Sequence, residues 1–568
     1  MKKTYIILRT ICVLLLIQVV SVFPMFGQKS DGVLFKAMQD EMTRTKNGLH
    51  LPEVPAIFFI GYTMAENRYI SVSSTLGAVT YIKESPKERF NTVNLYVGDN
   101  QFSSDYSYTG NGVNSNSFTC ADDNYEQLRI NFWRTSDLAY KFAVEVYKSK
   151  KAGIKTVTLS DEEKALPDML PLNKVEVSTP EIPEFNPDRK VYEDLSKSLS
   201  KIFIKYPDLF SSSVDIDDIQ TIYYNLTTEG TKIKEPVEFI AVTISGKVRN
   251  FKGQVLEDRN VIYAKSFNKL PSVEALSVAV DKFAAHLESL REAANMDEYY
   301  LGPVLFEDAA VAEIFAWDLV SPSGIMAFRN PIRVISTVFR SENLNEAMGV
   351  KPLEDRINKK VIDSRLNVTN CTDLKEYNGE SLIGSYNYDA QGIAPAKELK
   401  IIENGILKSL LSTRVPTKKI KGSTGSLRYG TTPRAVSIGV APGTLVISAP
   451  NGATSAELKA QLISAAMEEG LDYAYIVRNI NGDGNQYIYK VSVKDGSESL
   501  LTGAEISPIQ LSKLKRVLGV NKEETVYNYL YKSNIPTSIV APKSILIEDV
   551  EIMNKSLDVQ NESPLIGK

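Results

Sequence analysis

Residues 299–318 constrain the fold more than any other stretch, because they specify a buried strand followed directly by a helix. Val-Leu-Phe at residues 304–306 is a short apolar run of the kind found in buried strands. From Ala309 onwards the apolar residues recur at helical spacing, at Val311, Ile314, Phe315 and Leu319. Glu307 and Asp308 stand at the junction. We expect them in the first helical turn, where the helix dipole favours acidic side chains.

The chain is too long for a single hydrophobic core. At 568 residues it is expected to form two or more domains. Helices flank runs of strands, which predicts an α+β fold with a layered N-terminal domain and a β-rich C-terminal domain. The predicted divisions are a signal peptide at 1–27, an α+β region at 28–151, a proline-rich linker at 152–190, a central α+β region at 191–300 that completes the N-terminal domain, and the β-rich C-terminal domain at 301–568.

Apolar periodicity and turn residues predict the individual elements. The N-terminal region is expected to contain a helix at 31–45, strands at 56–63, 69–76 and 92–99, and a helix at 125–149. Another helix, at 272–294, should end before Gly302-Pro303, which interrupts the helical pattern. Asn404-Gly405 suits a type I′ turn, so a hairpin is predicted around it.

The first residues are typical of a secretory signal peptide. A Met-Lys-Lys start supplies positive charge, residues 6–22 form an apolar run, and residues 24–27 offer a cleavage site. An uncleaved membrane anchor is the alternative, but Arg9 leaves the run short of the roughly 20 apolar residues that a span needs. We therefore expect cleavage, a periplasmic or otherwise extracytoplasmic location and no stable membrane anchor. Cys120 and Cys371 would then remain, and whether they pair is left open.

Composition argues against one class of partner. A hydrophobic content of 43% and a charged content of 24% are those of an ordinary globular protein. The formal net charge of -4 gives no indication of a basic face, so nucleic acid is not a predicted partner.

Short motifs along the chain carry a resemblance to a known family. They are Val-Gly-Asp at 97–99, Asn-Leu-Thr-Thr-Glu-Gly-Thr at 225–231, Gly-Pro-Val-Leu-Phe at 302–306, Glu-Asn-Gly-Ile-Leu-Lys at 403–408, the glycine-rich loop at 422–428 with Pro433-Arg434, and Ala-Pro-Gly-Thr at 441–444. With these motifs the chain resembles the TldD/PmbA (modulator of DNA gyrase) family of two-subunit metallopeptidases. The resemblance implies a peptide substrate and assembly with a homologous TldD-like subunit or as a homo-oligomer.

The zinc motif of that family is missing. Active members carry His-Glu-x-x-x-His on the helix that follows the buried strand, and a cysteine late in the C-terminal domain. Here the equivalent turns read Ala-Trp-Asp-Leu-Val-Ser-Pro at 316–322, and the late turn reads Tyr-Lys-Ser-Asn-Ile-Pro at 531–536. The chain has two histidines, His50 and His286, and no cysteine after Cys371. The sequence therefore predicts no metal or other cofactor in this chain, with zinc in a homologous partner subunit.

No catalytic residue is assigned. The degenerate motif region offers Glu307, Trp317 and Asp318, with Glu313 as a further carboxylate, and single carboxylates on a helix are usually solvated. Trp317 stands about where a ligand histidine would, and we expect its ring to fill the space that metal and water need. The resemblance implies that Arg428 and Arg434 contact the substrate, because the glycine-rich loop lines the peptide cleft in the family.

Other motifs are weaker. Residues 479–485 resemble a calcium loop, but Lys490 occupies the position that needs a bidentate glutamate, so a hairpin tip is preferred. The glycine-rich loop lacks the Gly-Lys-Ser/Thr ending of a phosphate loop. His286 lies beside an apolar stripe and is expected to be structural or on the surface, and His50 is expected in a loop.

The preferred interpretation is an exported, metal-free subunit of a peptide-degrading metallopeptidase complex. Two alternatives stay open at this point: a peptidase active on its own, and a stand-alone peptide-binding protein.

Overall fold

The computed structural model describes residues 30–105, 114–156, 158–296, 298–327, 329, 353–432, 435–480 and 486–555. The predicted signal peptide, Arg434 and residues 481–485 of the loop considered for calcium lie outside the described residues. Within those ranges, no helix combines the length and the apolar character needed to cross a membrane.

The N-terminal half is built on one large sheet. Its described strands are β1 (Ile57–Thr75), β2 (Ala78–Val97), β3 (Asn114–Thr119), β4 (Val177–Ser178), β5 (Leu209–Thr227), β6 (Lys232–Arg249) and β7 (Val255–Ala264). Their order across the sheet is β3-β2-β1-β5-β6-β4, and β7 also pairs with β6. Neighbours are antiparallel, except that β4 runs parallel to β6. The regions before and after the proline-rich segment therefore share one sheet.

Strand β1 is continuous where the sequence predicted two strands. That prediction was wrong, because residues 65–68, which include the polar Glu66, Asn67 and Arg68, stay paired with β5, and residues 65–67 also with β2. Glu66 is buried in this stretch, and its carboxylate forms an ion pair of 2.7 Å with the buried guanidinium of Arg89. A buried carboxylate is tolerated inside a sheet when a counter-charge accompanies it. The chain reverses instead at Leu76-Gly77, where both residues have positive φ.

Helices cover one face of this sheet. They are α1 (Ser30–Gly48), α2 (Tyr125–Gly153), α3 (Asp161–Ala165), α4 (Arg189–Ser200) and α5 (Val273–Ser289). α1 and α2 share a core with Ile222 and Tyr224 of β5, and α4 and α5 share one with Val214 and Ile216. These strand residues are all even-numbered, so both helix pairs lie on the same face. The helix predicted to reach residue 294 ends at Ser289, because β8 (Ala294–Asn295) follows.

The proline-rich segment packs against the N-terminal half. Asp168 is buried and forms an ion pair of 2.7 Å with Lys150 of α2. The Lys150 ammonium also donates to the carbonyl of Ser103 at 3.0 Å. Met169 belongs to the core under α1 and α2. Buried contacts therefore hold this part of the segment in place.

The C-terminal half is rich in strands. They are β9 (Tyr300–Glu307), β10 (Asn367–Cys371), β11 (Glu376–Tyr377), β12 (Glu380–Ser381), β13 (Glu398–Glu403), β14 (Ile406–Leu407), β15 (Leu427–Tyr429), β16 (Ile438–Val440), β17 (Thr444–Ser448), β18 (Tyr473–Asn479), β19 (Tyr487–Ser492), β20 (Glu498–Thr502), β21 (Ala504–Ile506), β22 (Val517–Val520), β23 (Glu524–Tyr531), β24 (Ile535–Pro542) and β25 (Ser544–Asn554). One sheet has the order β14-β13-β10-β17-β24-β23, and another has the order β21-β25-β9-β18-β19-β20-β8 with β22 on β25. Two small ladders pair β11 with β12 and β15 with β16. The predicted α+β fold class is confirmed.

The main C-terminal core lies between the two large sheets. It joins Val304 and Phe306 of β9 to Leu445 of β17 and Ile539 of β24. Helix α7 (Ser455–Glu468) covers the other face of β9 at Leu305. β9 is therefore buried on both faces, which explains why Val-Leu-Phe is apolar without alternation.

The connection after β9 differs from the predicted one. Glu307 is the last strand residue and pairs with Ser544, and Asp308 follows at φ 50. Helix α6 (Ala309–Ile314) begins only then, so the expectation that Glu307 and Asp308 lie in its first turn was wrong. A π-helical turn, Phe315–Leu319, continues α6. Short 3-10 helices occur at Ile154–Thr156, Lys201–Lys205, Phe267–Lys269, Leu353–Arg356, Lys513–Lys515 and Lys532–Asn534.

Gly302 and Pro303 lie inside β9. Pro303, which has no N–H, lies opposite an irregularity in β25 between the pairs Gly302–Val550 and Val304–Ile547. A bulge of this kind is where a strand tolerates proline.

The predicted hairpin turn at Asn404-Gly405 is confirmed. Both residues have positive φ, 49 and 75, as a type I′ turn requires. Glycine is required at the second position for a further reason, since a Cβ on Gly405 would lie 2.5 Å from the carbonyl oxygen of Ile362.

The second face of the N-terminal sheet packs against the C-terminal half. Tyr223 of β5 stacks on Tyr429 of β15, with ring centroids 3.9 Å apart. The Asn225 amide donates to the carbonyl of Ala390 at 2.9 Å and to the Tyr429 hydroxyl at 2.8 Å. Phe239 of β6 contacts Ile383. The two halves are thus joined by buried aromatic and polar contacts.

Candidate functional site

A cavity of about 300 Å³ lies where the two halves meet. β7 forms one wall, α6 with its π turn forms another, and β23 with the turn after it forms a third. The lining residues are Arg259, Asn260, Val261, Tyr263, Ala309, Glu313, Ala316, Trp317, Val320, Ser321, Asn479, Tyr527, Asn528, Tyr529, Leu530, Tyr531 and Lys532. Its volume falls at the lower end of the range, about 300–1,000 Å³, of small-molecule sites.

Helical spacing determines which face of α6 reaches the cavity. Ala309, Glu313 and Ala316 recur every three or four residues along this face. The residues between them, among them Val311 and Phe315, are buried in the C-terminal core. The π turn is closed by a bond from the N–H of Val320 to the carbonyl of Phe315 at 3.1 Å. Single π turns in helices are frequent at functional sites.

Glu313, which the sequence offered only as a further carboxylate of the motif region, belongs to this wall. Its side chain is buried, 2% exposed. The N–H of Ile480 donates to one carboxylate oxygen at 2.6 Å, and the Tyr527 hydroxyl donates to the other at 3.3 Å. A signal was available: if Trp317 replaces the second histidine of His-Glu-x-x-x-His, Glu313, four residues earlier, occupies the glutamate position.

Trp317 lies on the wall of the cavity, and its side chain is 66% exposed. We expected its ring to fill the space of a metal and its water. The indole stands at the surface with open volume beside it, and its filling of a metal position stays a prediction.

Glu307 and Asp318 do not line the cavity. Glu307 accepts a hydrogen bond from the Arg478 guanidinium at 2.9 Å. Asp318 is half-buried, and loss of hydration raises the pKa of its carboxyl to about 6. The structure therefore gives Glu307 an ion-pair partner and leaves Asp318 outside the cavity wall.

Aromatic side chains dominate the third wall. Tyr527, Tyr529 and Tyr531 alternate along β23, and the first two rings stack at 5.8 Å. Tyr263 and Trp317 add two more rings from β7 and the π turn. The Tyr529 hydroxyl is buried and has no hydrogen-bond partner among the described residues. An alternating Tyr-x-Tyr-x-Tyr pattern was visible in the sequence, but nothing there indicated that it faces β7.

The predicted substrate residue Arg428 lies elsewhere. It is 3% exposed, and its guanidinium is 4.4 Å from the ring centroid of Tyr386 and donates to the carbonyl of Pro442. Burial lowers its pKa to about 10. It borders a separate cavity of about 10 Å³, together with Glu235 and Lys265. Substrate contact by Arg428 stays a prediction, as does contact by Arg434, which lies outside the described residues.

His286 is half-buried on α5 and does not line the cavity. Its ring lies 3.8 Å from that of Tyr487, and loss of hydration lowers its pKa to about 4. The Tyr487 hydroxyl donates to the buried carboxylate of Asp258, whose pKa burial raises to about 6. His286 therefore packs within an interface between α5, β7 and β19.

The donor set of the cavity does not fit a zinc ion. Of the lining residues that the structure describes, Glu313 is the only carboxylate, and none is a histidine or a cysteine. His50 is exposed, and Cys120 and Cys371 are free thiols. Across the described ranges, no group of three or more histidine, cysteine, aspartate or glutamate side chains is arranged to hold a metal. Zinc needs about four such donors in a structural site and three in a catalytic one.

A buried ion pair joins the halves near the Asn-to-Thr motif at 225–231. The Arg414 guanidinium donates to both carboxylate oxygens of Glu229, at 2.6 and 2.7 Å. Its Nε donates to the carbonyl of Leu170 at 2.8 Å. The motif thus contributes to the contact between the halves.

The C-terminal half has two large sheets around α6, and it is joined to an N-terminal sheet that helices cover on one face. This arrangement is the fold of the TldD/PmbA proteins. Residues 326–554 match the family model of the PmbA/TldA metallopeptidase C-terminal domain. Residues 326–554 therefore form a C-terminal domain of the PmbA/TldA type, in agreement with the resemblance that the motifs carry. No curated protein matches the sequence.

Solved structures share this fold over nearly the whole chain. A candidate modulator of a DNA gyrase from Thermotoga maritima has a TM-score of 0.58 at 14% identity, covering 91% of this chain and 100% of that one. TldE from Thermococcus kodakarensis has a TM-score of 0.54 at 13% identity, with coverage of 91% and 100%. A candidate modulator of DNA gyrase from Bacteroides thetaiotaomicron has a TM-score of 0.55 at 12% identity, with coverage of 92% and 98%. At these identities the likeness is one of fold.

Proposed function

We propose that this chain is an exported, metal-free subunit that binds peptide and completes the active site of a zinc-bearing homologue. The observation that carries the proposal is the cavity beside α6. It lies at the helix on which active family members carry their zinc motif, but among its described lining residues Glu313 is the only carboxylate and none is a histidine or a cysteine.

The walls of the cavity support a binding role. β23 is an edge strand of its sheet, and β7 is bonded on one side to β6. Edge strands offer free backbone N–H and carbonyl groups to an extended peptide. Open volume, aromatic rings and two strand edges together suit a peptide better than they suit a small polar metabolite.

Hydrolysis would then depend on the partner. A peptidase needs an activated water and a means of stabilising the oxyanion. The cavity of this chain supplies one buried carboxylate, already hydrogen-bonded to Ile480 and Tyr527, and no metal donors beside it. We therefore assign peptide binding to this chain and bond cleavage to the homologue.

The test is an assay of peptide hydrolysis by the mature chain alone, by a zinc-bearing homologue encoded beside it, and by the two mixed. We expect no cleavage by this chain alone and more cleavage by the mixture than by the homologue alone. Cleavage by this chain alone that resists chelators would show that it is a peptidase in its own right. Peptide binding without any effect on the homologue would indicate a stand-alone peptide-binding protein.

A further inference from the structure

Two cations at the cavity have no ion-pair partner among the described residues. Arg259 comes from β7 and Lys532 from the turn after β23, and both are exposed. The nearby Arg478, which does not line the cavity, pairs with Glu307 at 2.9 Å and with Glu498 at 2.9 Å. Arg259 and Lys532 thus bring two positive groups to the cavity; the carboxyl group of Asp217 on β5 attracts Arg259, but the two do not form an ion pair.

The negative charge of Glu313 does not cancel the positive charge of Arg259 and Lys532 at the surface of the cavity. Among the described lining residues Glu313 is the only carboxylate, and it is buried, whereas both cations are exposed. These described residues therefore contribute two positive groups and one negative group. Such an arrangement favours a ligand with an anionic group near Arg259 and Lys532.

The rest of the lining favours an apolar group attached to that anion. Trp317 and the tyrosines of β23 line the open volume. A volume of about 300 Å³ suits the end of a chain better than the middle of a long segment. Aromatic rings and a cation within one small site match a carboxylate that carries an apolar or aromatic side chain.

We propose that this cavity binds the C-terminal end of a peptide, with the terminal carboxylate paired to Arg259 and Lys532 and the last side chain packed against Trp317. This inference rests on the proposed peptide-binding function and adds the part of the peptide that is recognised. Arginine binds a carboxylate through two parallel N–H donors, and lysine adds a point charge.

The test measures binding of an N-terminally labelled Ala-Ala-Ala-Phe peptide to the mature full-length chain by fluorescence anisotropy. The free acid is compared with the C-terminal amide, which has the same shape and no charge. We expect the acid to bind about tenfold more tightly, a difference of about 1.4 kcal/mol. High salt should weaken binding of the free acid and leave binding of the amide almost unchanged.

Variants locate the charge. Arg259→Gln and Lys532→Gln should each weaken binding of the acid several-fold without changing binding of the amide. Lys46→Gln is the matched control, since Lys46 is an exposed lysine at the end of α1 that does not line the cavity. Circular dichroism and thermal melting of each variant establish that it is folded.

The outcomes separate the two proposals. Equal affinity for acid and amide, unaffected by the two substitutions, would overturn the carboxylate proposal and leave peptide binding standing. Binding of neither peptide would overturn both. Tighter binding of a free aromatic acid than of the peptide acid would show that the cavity takes a small carboxylate and not a peptide end.

Discussion

Replacing Glu229 by glutamine should lower the free energy of unfolding by about 3 kcal/mol, because it leaves the buried guanidinium of Arg414 without a counter-charge. The Arg414 side chain is 2% exposed, and its two terminal nitrogens lie 2.6 and 2.7 Å from the carboxylate of Glu229. Removing one partner of a buried pair costs roughly 3–5 kcal/mol. The Glu229 side chain is 24% exposed, so some hydration is possible and the lower end of the range applies.

A matched substitution isolates the effect of burial. Glu193→Gln removes a carboxylate of similar exposure, 22%, from an exposed arginine of α4, Arg189, at 2.8 Å, and also from Lys197 at 3.4 Å. Exposed pairs four residues apart on a helix contribute about 0.3–0.5 kcal/mol. Urea unfolding of the mature protein at pH 7, followed by fluorescence and circular dichroism, gives both values.

Arg414→Met completes a double-mutant cycle. Once the guanidinium is absent, Glu229→Gln should cost less than 1 kcal/mol, or roughly the amount of the surface control. Two outcomes would show that the Arg414–Glu229 pair does not stabilise the contact between the halves. One is that Glu229→Gln destabilises the wild-type chain no more than Glu193→Gln does. The other is that Glu229→Gln lowers the free energy of unfolding equally with Arg414 present and absent.

Four other outcomes are expected. Gly405→Ala should lower the melting temperature more than Gly379→Ala: both positions have positive φ, but a Cβ at 405 meets a backbone oxygen at 2.5 Å, whereas at 379 nothing lies within 4 Å. Equal melting temperatures would contradict this account. Burial raises the folded-state pKa of Asp258 to about 6 from an ordinary value of 3.8, so the native state binds the proton more tightly and loses stability as the pH rises from about 4 to 6. Relative to Asp258→Asn, that loss should be about 3 kcal/mol in urea unfolding, and parallel pH profiles would refute it. Metal analysis of the tag-free protein should find far less than one zinc per chain, and a tightly held stoichiometric zinc would refute the conclusion that the cavity's side chains do not fit zinc. N-terminal sequencing of the exported protein should begin after residue 27, and a start at Met1 would reject cleavage.

Local sequence determined much of the secondary structure. Asn404-Gly405 specifies its turn because few other dipeptides adopt positive φ twice without strain. The helices at 30–48 and 125–153 follow from apolar residues at helical spacing. The strand and the helix within residues 300–319 were predicted for the same reason. Their junction was not predicted, because the conformation of Asp308 depends on the pairing of the preceding strand with β25.

Only the tertiary structure decided where polar residues could be buried. Residues 65–68 are Ala-Glu-Asn-Arg, which by local preference favour a break between strands. They continue β1 because Arg89, on the neighbouring strand, neutralises Glu66. Arg428 is likewise typical of a surface loop in the sequence, and it is buried with its guanidinium against the ring of Tyr386 and one N–H donated to the carbonyl of Pro442. A pairing between residues distant in sequence leaves no periodic signal in either segment.

The resemblance to the TldD/PmbA family and the absence of its zinc motif were visible in the sequence itself, since they depend on which residue types are present. The cavity was decided by the fold. Arg259, Glu313 and Tyr527 come from segments separated by many tens of residues, and they meet because β7, α6 and β23 come together where the two halves pack. Chain length between such residues carries no information about their distance, because hydrophobic burial brings the sheets together without regard to sequence separation.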